Sequence, residues 1–71
     1  MASNERYQEW TAVTEASAAN LPTVINAKLA ELPPVQTYGT EKVVGSHWVF
    51  DKVVVQGTTF VLFFWRWNHR V

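Results

Sequence analysis

Residues 43–67 read VVGSHWVFDKVVVQGTTFVLFFWRW, and this stretch decides the fold. It divides into two extended runs, 47–56 and 58–67, with a turn expected at Gln56-Gly57, and it holds Trp48, Trp65, Trp67 and every Phe of the chain. β-branched and aromatic residues dominate both runs, the composition that suits a pleated, half-buried surface. Paired through a two-residue turn, the runs set Trp48, Phe50 and Val54 on one face with Trp65 and Phe63. Val49, Val53, Phe60, Leu62 and Phe64 fall on the other. Both faces are apolar, whereas an antiparallel sheet with one solvated face alternates apolar and polar residues.

Upstream, the same extended pattern predicts a first strand over 35–44, joined to the second by a turn at Gly45-Ser46. Gly39 inside that strand predicts a bulge or a bend. Before it, Pro33-Pro34 ends helical structure, because proline lacks the amide donor and forces its predecessor toward extended geometry. Residues 21–32 carry Leu21, Val24, Ile25, Leu29 and Leu32 at helical spacing, with Asn20 as cap and Pro22 in the first turn. Tyr7, Trp10, Val13 and Ser17 recur at three- and four-residue intervals, which predicts another helix over 4–19, capped by Ser3.

The fold class that follows is α+β in the order α-β-β-β. One or two helices pack on a three-stranded antiparallel sheet within a single domain, 1–71. A helical layer covers one sheet face and nothing remains for the other, here expected to be the face of Val49, Val53, Phe60, Leu62 and Phe64. A homodimer through that face is the expected partner arrangement. It also suits a chain of 71 residues, since so small a domain buries only roughly 60% of its unfolded surface.

Six cations and six carboxylates cancel, which argues against a net field drawing the chain to nucleic acid or an anionic membrane. The interleaved Trp65-Arg66-Trp67-Asn68-His69-Arg70 nevertheless has the composition that stacks bases and grips phosphates of single strands. With no Cys, disulfides and thiolate chemistry are excluded. No apolar run is long enough to span a bilayer and no signal-type leader is visible, so the sequence predicts a soluble protein. Ser46, His47 and Asp51 do not form a catalytic group, because successive strand residues point to opposite sides. His47 and Asp51 would stand about 13 Å apart, too far to share a metal. The reading is of a non-enzymatic interaction domain without cofactor or metal. Its short loops and lack of a reactive cluster equally suit a sequence designed onto a small α+β template.

Lys42-Val43-Val44-Gly45-Ser46-His47-Trp48-Val49-Phe50 resembles the Gln-Val-Val-Ala-Gly segment and the following aromatic strand of the cystatins. In that comparison residues 21–32 correspond to the family's central helix, and the resemblance spans 20–67. It implies a cystatin-like topology and inhibition of papain-like cysteine proteases by a turn formed from Val43, Val44, Gly45 and Ser46. Lys42 stands at the family's Gln, and the Ala before Gly45 is missing.

Overall fold

The computed structural model describes residues 5–70. In chain order these form strand β1 (Arg6–Glu15), a 3-10 turn (Ala18–Asn20), helix α1 (Leu21–Leu29), and strands β2 (Val35–Tyr38), β3 (Glu41–Gly45), β4 (Val49–Gln56) and β5 (Thr59–Arg70). The fold is α+β as expected, but the sheet has five strands rather than three and the helix lies between strands.

The spine is β5. On one side it pairs antiparallel with β1 along its length, from Arg6↔His69 to Glu15↔Phe60. On the other it pairs first with β4 and then, nearer its end, with β3. This explains why Arg6–Glu15, within the span where a helix over 4–19 is expected, form a strand. A long apolar β5 presents backbone donors and acceptors along both edges, and buried ones must be paired. Thr11, Val13 and Thr14 suit a strand, and the spacing of Tyr7 and Val13 fits a period of two as well as a helical one. Ser3, the cap expected for that helix, lies outside the described residues. At the strand's end Glu15 Oε2 accepts from the amides of Ala16 and Ser17, both at 3.1 Å, and so turns the chain toward α1.

Helix α1 is short and rich in Thr, Val, Ile and Asn, poor helix formers, so packing must hold it in place. Leu21, Val24 and Ile25 rest on Trp48, Leu62 and Phe64, with Val13, Phe50 and Phe60 around them. Leu62 and Phe64 are fully buried, each worth about 1.5–3 kcal/mol of apolar burial. The face of Phe60, Leu62 and Phe64 is therefore covered by the chain's own helix, which corrects the expectation that it stays open. These side chains bring no polar atom to the interface, whereas the opposite face carries Trp N–H groups and cations that tolerate water. Leu29 and Leu32 lie exposed. Lys28 lays its ammonium 5.0 Å from the Trp48 ring centre.

Three turns differ from expectation. Gly39 and Gly57 both have positive φ, near 60°, and each opens a Gly-Thr turn, β2 to β3 and β4 to β5, with glycine at the position where left-handed backbone is needed. Gly39 thus lies in a hairpin turn between two strands rather than in a bulge or bend of one strand over 35–44, and the second hairpin turns at Gly57-Thr58 rather than Gln56-Gly57. Gly45-Ser46 is no hairpin at all: β3 and β4 follow one another along the same side of β5. The Ser46 amide donates to the Trp67 carbonyl at 2.8 Å and Ser46 Oγ accepts from the Trp67 amide at 3.0 Å, carrying the ladder across the gap. A bulge between Phe50 and Lys52 shifts the register of β4. As a result Phe50 joins Phe64 on the covered face, while Val49 faces Trp65 on the open one.

Candidate functional site

Side chains on alternate residues of a strand share a face. Since Leu62 and Phe64 lie under α1, the odd-numbered residues of β5, and those paired with them, form the face left uncovered by the described residues. Trp10 and Trp65 meet across the strands with ring centres 6.4 Å apart, and Trp65 meets Trp67 edge-on at 6.0 Å. Trp10 remains 53% exposed, although it belongs to this aromatic row. A groove of about 560 Å³ opens beside it, bounded by Lys52, Val54, Val61 and Phe63.

The cations of this face sit on its rings. Arg6 lies 4.7 Å from the centre of Trp67, and Lys52 lies 5.8 Å from that of Phe63, distances at which a ring quadrupole attracts positive charge. Lys42 and His69 extend the same face toward the β2–β3 hairpin through their pairing with Thr37 and Val44. Asp51, in the bulge, is the carboxylate that lines the groove. Glu5, Glu9, Glu15 and Glu41 alternate onto the covered side, where Glu31, Lys28, Arg66 and Arg70 also lie. A chain of zero net charge thus separates its charge by face. The open side has Arg6, Lys42 and Lys52 against Asp51. The covered side has five glutamates against three cations.

The covered side holds a second polar assembly. Glu9 Oε1 accepts from Arg66 Nη2 at 2.8 Å, Arg66 Nε at 2.9 Å and Asn68 Nδ2 at 2.7 Å. The Asn68 hydrogen bond, with help from Arg66, holds the Glu9 carboxyl below the usual range, against an opposing push from burial. Arg66 also stacks 4.2 Å over Trp48, whose Nε1 donates to Glu31 Oε1 at 3.2 Å. A cleft of about 260 Å³ beside Glu9 is edged by Tyr7, Gln36 and Asn68.

The residues singled out from the sequence are divided by this arrangement. Phe60, Leu62 and Phe64 are brought together in the core; Val53 shares their side but is 42% exposed, and Val49 lies on the open face. Val43, Val44 and Gly45 belong to strand β3 rather than to a projecting turn, with Val43 and Gly45 buried. Ser46 is tied to Trp67 and also donates to the His47 carbonyl, while His47 Nδ1 donates to the Glu31 carbonyl at 3.1 Å. Among the described residues no cluster of His, Cys, Asp and Glu is placed to hold a metal ion, and no helix is long and apolar enough to cross a membrane. The sequence pattern places Lys52 on the face of Phe63 and Trp65, as observed, but misses Trp10 and Arg6 as members of the same surface. The signal was their alternation with Glu5 and Glu9, readable only once β1 is taken as a strand. No family model, curated protein or solved structure matches the chain.

Proposed function

We propose that the chain is a non-enzymatic binding module whose open sheet face takes up single-stranded nucleic acid. The observation that carries this reading is the joint placement of Trp10, Phe63, Trp65 and Trp67 with Arg6, Lys42 and Lys52 on the uncovered face, the glutamates lying on the other side. Aromatic rings on a sheet accept bases by stacking, worth about 1–3 kcal/mol per base, and flanking cations follow the phosphates. Zero net charge weighs against nucleic acid only when charge is spread evenly, and here it is separated by face.

A tryptophan-fluorescence titration with an oligouridylate of about 8 nucleotides, a length suited to one platform, tests the reading. Expected are saturable quenching, a slope of log affinity on log salt near −2 for three phosphate contacts, and loss of binding in Arg6→Glu. Unchanged fluorescence, or equal binding of a sulfated polysaccharide that has no bases, overturns it.

A second reading is association of two copies. The chain exposes 4920 Å², above the about 4,500 Å² expected of a folded monomer of its mass. Its radius of gyration of 14.8 Å exceeds the about 11 Å of a compact chain of this length. Stacking two open faces would bring like charges together, so that face is the poorer route to a dimer.

A further inference from the structure

We propose that two copies of the chain join edge to edge along β1, in the antiparallel register that sets Thr11 opposite Thr11 of the second copy. The proposal rests on the self-association reading and is independent of the nucleic-acid one.

β1 is the terminal strand of the sheet, and its outer edge is chemically defined. The Arg70 amide donates to the Glu5 carbonyl at 2.8 Å, which continues by one step the register that begins at Arg6↔His69. They therefore form a hydrogen-bonded pair, and such pairs recur at every second residue of an antiparallel ladder. The odd residues of β1 bond inward to β5. The even ones, Arg6, Gln8, Trp10, Ala12 and Thr14, turn their N–H and C=O groups outward. The strand has ten residues with no Pro, Gly or bulge to interrupt that outward row. The outer edge of β4, by contrast, is interrupted by the bulge at Asp51 and bears Lys52, devices that deter strand addition. β2 offers four residues only.

Among the twofold registers that keep most of β1 paired, charge then selects one, because like charges directly opposite destabilise a pair. Centring a twofold axis on Glu9 sets that carboxylate against itself. Centring on Trp10 opposes Glu5 and Glu15, and centring on Ala12 opposes Glu9 and Glu15. Centring on Thr11 produces no like-charged pair: Glu9 meets Val13, Glu15 meets Tyr7, and each Trp10 lies opposite a small Ala12. The outward hydrogen-bonding groups of Trp10 and Ala12 then meet, as an antiparallel ladder requires. Both open faces stay on the same side of the continuous sheet, so the exposed aromatic row doubles in length without being covered.

Sedimentation equilibrium of the intact chain, of Ala12→Pro and of Thr11→Cys tests this. Ala12→Pro removes an outward N–H and leaves the inward ladder whole. The wild type is expected at twice the chain mass and the proline variant, with unchanged circular dichroism, at the single mass. Thr11 forms a non-hydrogen-bonded pair with Cα atoms about 4.5 Å apart, within disulfide reach. Thr11→Cys in this cysteine-free chain should therefore oxidise to a covalent dimer, and Glu9→Cys should not. The cysteine pair decides the matter even where the proline variant fails to fold. A monomer at every concentration overturns self-association and the proposal together. A dimer that survives Ala12→Pro, or one that does not cross-link at Thr11, overturns the β1 edge alone.

Discussion

Arg66 lies face-on to Trp48, its guanidinium 4.2 Å from the ring centre, while the same group grips Glu9 at 2.8 Å. Lys28 occupies another approach to that ring at 5.0 Å. One indole thus ties the end of α1 to β5 and, through Arg66, to β1. Arg66→Lys keeps the charge but loses the planar fork and the stack. The expected outcome is a loss of about 1–2 kcal/mol in urea unfolding, with Trp48→Ala losing more, about 3–5 kcal/mol.

Phe64 and Phe63 are neighbours with opposite environments. Phe64 is fully buried under α1, whereas Phe63 borders the groove of the open face. Phe64→Lys places an unpaired ammonium in a core whose whole stability is about 3–5 kcal/mol, so the variant should show no cooperative unfolding transition. Phe63→Lys should fold. Circular dichroism melts of the two variants check this, and a folded Phe64→Lys would reverse the assignment of the faces.

Gly45 is required for space rather than for its backbone angle. A Cβ there would stand 2.9 Å from both Asn68 Oδ1 and Pro34 Cδ, and neither the buried amide nor the ring can easily yield. Gly45→Ala should lower stability by about 1–3 kcal/mol, as overpacking does. Gly57→Ala meets no atom, and its smaller penalty of about 1 kcal/mol comes from positive φ alone. Denaturant midpoints of the two variants give the comparison.

Glu9 makes stability depend on acid. Its folded pKa lies below the ordinary 4.5 through the Asn68 hydrogen bond first and Arg66 second. The unfolded chain therefore binds the proton more readily, and the stabilisation is complete above pH 4.5 and lost as pH falls through the depressed value. With its side chain 43% exposed, solvent screens the effect and keeps it small. Urea midpoints measured from neutral to acid pH should fall more steeply for the wild type than for Glu9→Gln, the two curves converging at the acid end.

How much of this could be read from the chain differs by element. The β4–β5 hairpin, α1 and the grouping of Phe60, Leu62 and Phe64 on one face follow from local pattern, because period and turn residues are local properties. β1 does not. Tyr7, Trp10 and Val13 satisfy a helical stripe and Tyr7 with Val13 a strand, and the choice is made by Phe60 to His69, distant in sequence. Which face α1 covers is equally hidden, since both faces of the β4–β5 hairpin are apolar, and the Arg6 and Trp10 that make one of them tolerant of water come from β1. Val49 changed sides because Asp51 occupies a bulge, a feature that strict alternation cannot anticipate. The charge separation is illegible for the same reason: it is a property of parity, and parity needs the strands first.

Ser46 bears on how the sheet moves. Its amide and hydroxyl make to Trp67 the two bonds that a continuous strand would make there. The β2–β3 hairpin and the β4–β5 hairpin are thereby fastened to one spine without a seam between them. With that hydroxyl in place the sheet is expected to open as one cooperative unit. Without it Trp67 would become a joint, about which the two hairpins could fluctuate on separate timescales.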